Sequence, residues 1–135
     1  MHIWKALTAF MCCLLLGSCS QNNRDGKPRK NEVAFFRRFE IRTDPINVFD
    51  EIPKDLVLKG QEGRYIEATF DGRGLIERLR LIAGSNTVWE ARYQFHDTKK
   101  ISLETWTEAG MTRTRFISAT GTVTNQIRQT TKAAK

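Results

Sequence analysis

Few residues in this chain have the types and spacing that chemistry requires. The 135 residues include three cysteines, Cys12, Cys13 and Cys19, and two histidines, His2 and His96. A catalytic imidazole needs an orienting partner and a nucleophile or substrate within hydrogen-bond reach. Asp97 adjoins His96, but neighbours along a strand or turn point apart, so the pair reads as part of a turn. Glu62, Glu67, Glu77, Glu90 and Glu104 stand among Arg64, Arg78 and Arg92. Cross-strand ion pairs of roughly 0.2–1 kcal/mol each account for them without a paired acid and base. Phosphate-loop, dinucleotide-fingerprint and HExxH patterns are absent, and Gly72-Arg73-Gly74 reads as a turn. The expectation is a protein that is not an enzyme and holds no metal or cofactor.

The elements that carry these residues fall into three segments. Length leaves room for one domain of ordinary size. A hydrophobic fraction of 40% and a charged fraction of 27% exclude wholesale disorder, collagen-like repeats and a multi-span membrane protein. The net charge is +7.

The first segment opens with His2 and Lys5, followed by the apolar run Ala6–Leu16. As a helix this run spans about 16 Å, short of the ~30 Å of a bilayer core. A charged start, a short apolar stretch and small residues after it describe an export signal. Cys12 and Cys13 lie inside the run and read as apolar filler. The run ends in Leu16-Gly17-Ser18-Cys19, which resembles the lipobox of bacterial lipoproteins. The resemblance covers residues 1–19. It implies that Cys19 carries diacylglycerol, that the Ser18–Cys19 bond is cleaved and that the new amine is acylated. One acyl chain binds a membrane only marginally, whereas two or three on one residue hold it there. Ser20, rather than Asp, follows the cysteine, which by analogy with Gram-negative lipoproteins implies the outer membrane. Removal of residues 1–18 takes only Lys5 from the charges, so the mature chain keeps +6.

Residues 19–31 form the second segment. Ser20–Asn31 holds no large apolar residue and carries Arg24, Lys27, Arg29 and Lys30 against Asp25. Such a stretch cannot bury enough surface to offset its ordering entropy, and it reads as a flexible, solubilising tether.

Residues 32–135 form the third segment, with the last few expected to be disordered. Its pattern is mostly period two, which means strands. In Val88–Phe95, Trp89, Ala91, Tyr93 and Phe95 alternate with polar positions, and Arg64–Phe70 alternates likewise. Ile101–Thr107 shows Ile101 and Leu103, then Trp106 out of phase. Met111–Ser118 is rich in Thr and Arg, and Thr122–Thr130 is a weaker strand. Turns are expected at Asp71–Gly74, Gly84–Thr87, His96–Lys100, Glu108–Gly110 and Ala119–Gly121. Residues 75–83 fit a helix face or a strand face, and the flanking glycines favour a strand. Residues 33–41 fit a helical turn or a first strand. Asp44-Pro45 and Ile52-Pro53 are breaks, the second followed by a short strand Leu56-Val57-Leu58.

An aromatic strand end, a polar turn and an aliphatic strand start recur at Phe70–Leu75, Phe95–Ile101 and Phe116–Val123. Residues 64–123 are loosely similar to the hairpin repeats of YD-type and MORN-like surface proteins. The resemblance implies tandem hairpins in one long twisted sheet. It departs where His96 and Ile117 replace the Asp that follows the aromatic.

The fold class expected is therefore mainly β, an antiparallel meander of tandem hairpins in a single small domain after a signal peptide and a tether. Arg78, Arg80, Arg113 and Arg115 are the candidates for a face that meets an anionic ligand. The function expected is a membrane-anchored envelope lipoprotein whose non-catalytic domain binds a protein partner or has a structural role. An inhibitor of an envelope hydrolase, acting through the His96–Lys100 turn, is one alternative. A binder of anionic glycolipid is another. Membrane lipid held through Cys19 is the expected anchor, and nucleic acid is not an expected partner.

Overall fold

The computed structural model describes residues 29–129, so Ser18, Cys19 and most of the tether lie outside the described residues. Eight strands form one open antiparallel sheet. They are β1 (Val33–Glu40), β2 (Asn47–Ile52), β3 (Arg64–Phe70), β4 (Ile76–Ala83), β5 (Asn86–Phe95), β6 (Ile101–Glu108), β7 (Met111–Ile117) and β8 (Val123–Gln129). Their order is β2-β1-β3-β4-β5-β6-β7-β8, a meander with one hairpin turned back at its start. Both ambiguous segments are strands over nearly all their length, residues 33–40 forming β1 and residues 76–83 forming β4.

The short strand expected at Leu56–Leu58 is instead the end of a five-residue helix, α1 (Lys54–Leu58). Three consecutive apolar residues carry no period, and Pro53 at the N-cap with Asp55 in the first turn sets a helical start. Leu58 remains 73% exposed.

The recurring unit coincides with three hairpins that close in the same way. Asp71, His96 and Ser118 each donate a backbone N–H to the carbonyl four residues on (2.8, 2.8 and 2.9 Å). Each also accepts from the N–H three residues on, at Gly74, Lys99 and Gly121. Those three residues have φ of 82°, 66° and 89°. This is the three-residue hairpin loop that ends in a left-handed position. Glycine takes that position twice, and Lys99 takes it against the steric preference of its Cβ.

Three bulges bend the meander. The pairings Thr69–Arg78 and Phe70–Ile76 leave Glu77 unopposed. Leu81–Trp89 and Ile82–Thr87 leave Val88, and Gln94–Leu103 and Phe95–Ile101 leave Ser102. Each bulge adds local twist. The last also changes which side chains face the core. Ile101 faces inward, then Glu104 and Trp106 do, while Leu103 turns to the other side. The out-of-phase Trp106 is thereby explained.

The sheet curls around its core. Phe39 of β1 packs edge-on against Trp89 of β5, with ring centroids 5.5 Å apart. In a flat sheet these strands would stand three spacings, or about 14 Å, apart. Trp106 stacks on Trp89 from the other side at 4.4 Å. Phe36, Val48, Ile66, Leu79 and Leu81 complete this core on the concave face. Phe35 and Ile52 pair directly and bury on the opposite face, Phe35 against Tyr65.

The last tether residues belong to the fold. Arg29 pairs with Glu32 and Glu51, and its guanidinium lies 5.9 and 5.8 Å from the Phe36 and Phe70 rings. Asn31 donates its backbone N–H to the Asp71 carbonyl at 3.0 Å.

Candidate functional site

The four candidate arginines do not share a face. Directly paired residues in an antiparallel sheet point to the same side. Leu79 and Leu81 pair with Ala91 and Trp89 on the concave face, so Arg78 and Arg80 between and beside them point to the convex face. Trp106 pairs with Arg113 and Glu104 with Arg115, which puts these two arginines on the concave face. The four-arginine surface expected from sequence is thus two pairs on opposite sides of the sheet.

The convex pair is already matched with charge. Arg80 donates to Glu67 through Nε (3.0 Å) and Nη2 (2.6 Å). Arg78 lies 3.8 Å from the same carboxylate and donates to Thr69 Oγ1 at 3.5 Å. Arg92, opposite Arg78, pairs with Glu90. The result is a ladder of alternating sign on a solvated face.

The concave pair sits where the sheet meets its own first hairpin. The residues between β1 and β2 fold over the concave face, and Arg115 donates to Asp44 Oδ1 at 2.8 Å. Arg115 also donates to Glu104 Oε2 at 3.2 Å. Glu104 is 6% exposed, the buried carboxylate among the described residues. The hydrogen bond to Asp44 first, and the Glu104 charge after it, raise the Arg115 pKa against the effect of burial and keep the guanidinium charged. Tyr93, directly opposite Glu104, is buried with its hydroxyl near the Ile46 backbone but outside hydrogen-bond geometry. Burial first, and the Glu104 charge second, raise its pKa above the ordinary 10.

A cleft of about 370 Å³ opens beside this join, between Ile41, Asp44 and Ile46 on one side and Trp106, Arg113 and Ile127 on the other. It continues past Glu108 and Met111 toward the β6–β7 turn. Its walls hold three of the exposed large apolar side chains, Ile41 (60%), Met111 (42%) and Ile127 (68%). Arg113 stands at its mouth, 54% exposed and 3.8 Å from Glu104.

Strand β8 bounds the cleft and is an edge of the sheet. All seven of its residues are exposed. It pairs with β7 from Met111–Gln129 to Ile117–Val123 without a register shift. Its outer row of backbone donors and acceptors has no neighbouring strand among the described residues.

His96 is held by structure. Its Nε2 donates to the Ile117 carbonyl at 2.8 Å, tying the β5–β6 loop to the end of β7. No group of three or more His, Cys, Asp or Glu placed to hold a metal occurs among the described residues. No helix among them is long and apolar enough to cross a membrane. The cleft was missed from sequence because the bulge at Ser102 is what turns Glu104 and Trp106, and Arg113 paired with Trp106, to the same side as Ile101. The phase slip at Trp106 was the available signal.

The chain matches no family model, no curated protein and no solved structure.

Proposed function

We propose that the chain is an envelope lipoprotein, anchored in the outer membrane through acylated Cys19 after cleavage behind Ser18, whose non-catalytic β domain binds a protein partner. The partner binds at the β6–β8 end of the sheet. The observation that carries this reading is the regular β8 edge, without a neighbouring strand among the described residues, beside an apolar cleft. An unpaired strand edge is a template for another strand, and natural sheets blunt or cover edges that are not used. The four candidate arginines support a broad anion-binding face less well, because two of them lie on each side of the sheet.

The anchor and the binding end are tested separately. Cys19→Ala should abolish labelling by a radioactive fatty acid and release the protein from the membrane fraction. Labelling that persists would remove the anchor from this account. For the binding end, a photo-crosslinking amino acid replaces Gln126 on β8 or Phe49 on β2 in living cells. One discrete protein adduct from position 126, absent from position 49, is the expected result. Equal adducts from both edges would contradict it.

A further inference from the structure

We infer that the partner segment is an extended strand of alternating pattern that adds to the free edge of β8 and brings a carboxylate to Arg113 among apolar side chains. This rests on the reading of β6–β8 as the binding end and specifies its chemistry.

Charge is the first argument. β7 and β8 carry Arg113, Arg115 and Arg128 and no carboxylate. Arg115 is engaged by Asp44 and Glu104. Arg113 makes no hydrogen bond among the described residues, and its nearest carboxylate, Glu104, already accepts from Arg115. Arg128 has no ion pair among the described residues. A planar guanidinium whose N–H groups make no hydrogen bond among the described residues, and whose one ion pair there is as long as 3.8 Å, is suited to a further carboxylate.

Placement is the second argument. Arg113 lies directly opposite Ile127, so both point to the concave side. A strand added to β8 stands about 4.8 Å beyond it and sends alternate side chains to that same side. The inward positions meet Ile127, Met111 and Ile41, which take apolar groups, and the Arg113 guanidinium, which takes an acid.

A second copy of this chain fits less well. Its β8 would set Arg113 and Arg128 against the same charges. Its β2 carries Asp50 and Glu51, but these pair with Arg38 and Arg29, and Asp50 distorts the strand with a φ of 57°.

The test uses the full mature protein in detergent and fluorescent peptides matching β8 in length. One peptide alternates Thr with Val and a central Glu; a second replaces that Glu with Lys. Two further versions of the Glu peptide are N-methylated at odd or at even positions. The Glu peptide should bind about tenfold more tightly than the Lys peptide, a difference of ~1.4 kcal/mol. Arg113→Gln should erase that preference while circular dichroism stays unchanged. Only one N-methylated series should lose binding, because alternate residues of an added strand turn their N–H groups to the host. Equal binding of the Glu and Lys peptides overturns the acidic specificity and leaves β8 as a binding edge. Loss of neither N-methylated series overturns strand addition. Concentration-dependent self-association that blocks the peptides makes a second copy the occupant and overturns the proposal. If no peptide binds and the crosslinker at position 126 also stays unreacted, the partner-binding reading fails with it.

Discussion

The two edges of this sheet are built differently. β2 is six residues long, lies between Pro45 and Pro53, and holds Asp50 in the left-handed region. Its Asp50 and Glu51 are held by arginines, and its Val48 and Ile52 are fully buried. β8 is seven residues long, unbroken, without proline or carboxylate, and wholly exposed. Broken geometry and paired charge are how proteins blunt an edge. One edge is therefore closed by the fold, and the other is left ready for a neighbour. The same division runs through the interior. β1–β5 wrap a core centred on Trp89, whereas β6–β8 contribute to it mainly through Trp106 and Ile101. Besides the β5–β6 pairing, the two parts meet across the concave face where Asp44 pairs with Arg115.

The largest expected effect lies in the closed half. Trp89 is 5% exposed and sits between Phe39 and Trp106. Trp89→Ala should cost about 3–5 kcal/mol by chemical denaturation, in the range for a buried Trp. A loss below 1 kcal/mol would mean that the curled core is not what stabilises the domain.

The join comes next. Arg115→Ala leaves the buried Glu104 with Arg113 alone, at 3.8 Å. Stripping one partner from a buried pair costs ~3–5 kcal/mol, and the partial exposure of Arg115 lowers this to about 2–3. Restoration of most of that stability by the additional change Glu104→Gln, measured as a double-mutant cycle, would establish the pairing. Simple additivity would refute it.

Tyr93 tests the same join through pH. Its folded pKa is raised, so the neutral hydroxyl is the form the native state keeps. The unfolded chain releases that proton near pH 10 while the folded chain retains it, so stability falls as pH rises above 10. The slope from this one group is at most about 1.4 kcal/mol per pH unit. Tyr93→Phe should remove that component from alkaline denaturation. An unchanged slope would mean that Tyr93 ionises freely.

The smallest effect belongs to the open half. Ile127 is 68% exposed, so Ile127→Ser should change stability by less than ~0.5 kcal/mol. It should nevertheless weaken crosslinking from position 126, which separates a binding side chain from a structural one.

The sequence made the meander legible and hid its curvature. Alternation in Arg64–Phe70 and Val88–Phe95, with the turns between, marked strands because each buries one face. The helix at Lys54–Leu58 was not legible, since a short apolar run has no period to read. Nor was the arrangement of the arginines. Arg78 and Arg113 lie on opposite faces because of pairing register and the bulge at Ser102, and a single strand's pattern encodes neither. Asp44 and Arg115 meet across 71 residues of chain, a contact that follows only from the sheet's curl. Residues 16–19, which resemble a lipobox, fall outside the described residues.

The central claim is that β8 is the open edge and β2 the closed one. Amide hydrogen exchange of both strands, with and without the Glu-containing peptide at saturating concentration, tests it directly. The account predicts that alternate amides of β8 slow by tenfold or more, as expected for newly formed ladder bonds of ~1.4 kcal/mol or better, while β2 amides keep their rates. Protection that appears on β2, or equally on both edges, would contradict it.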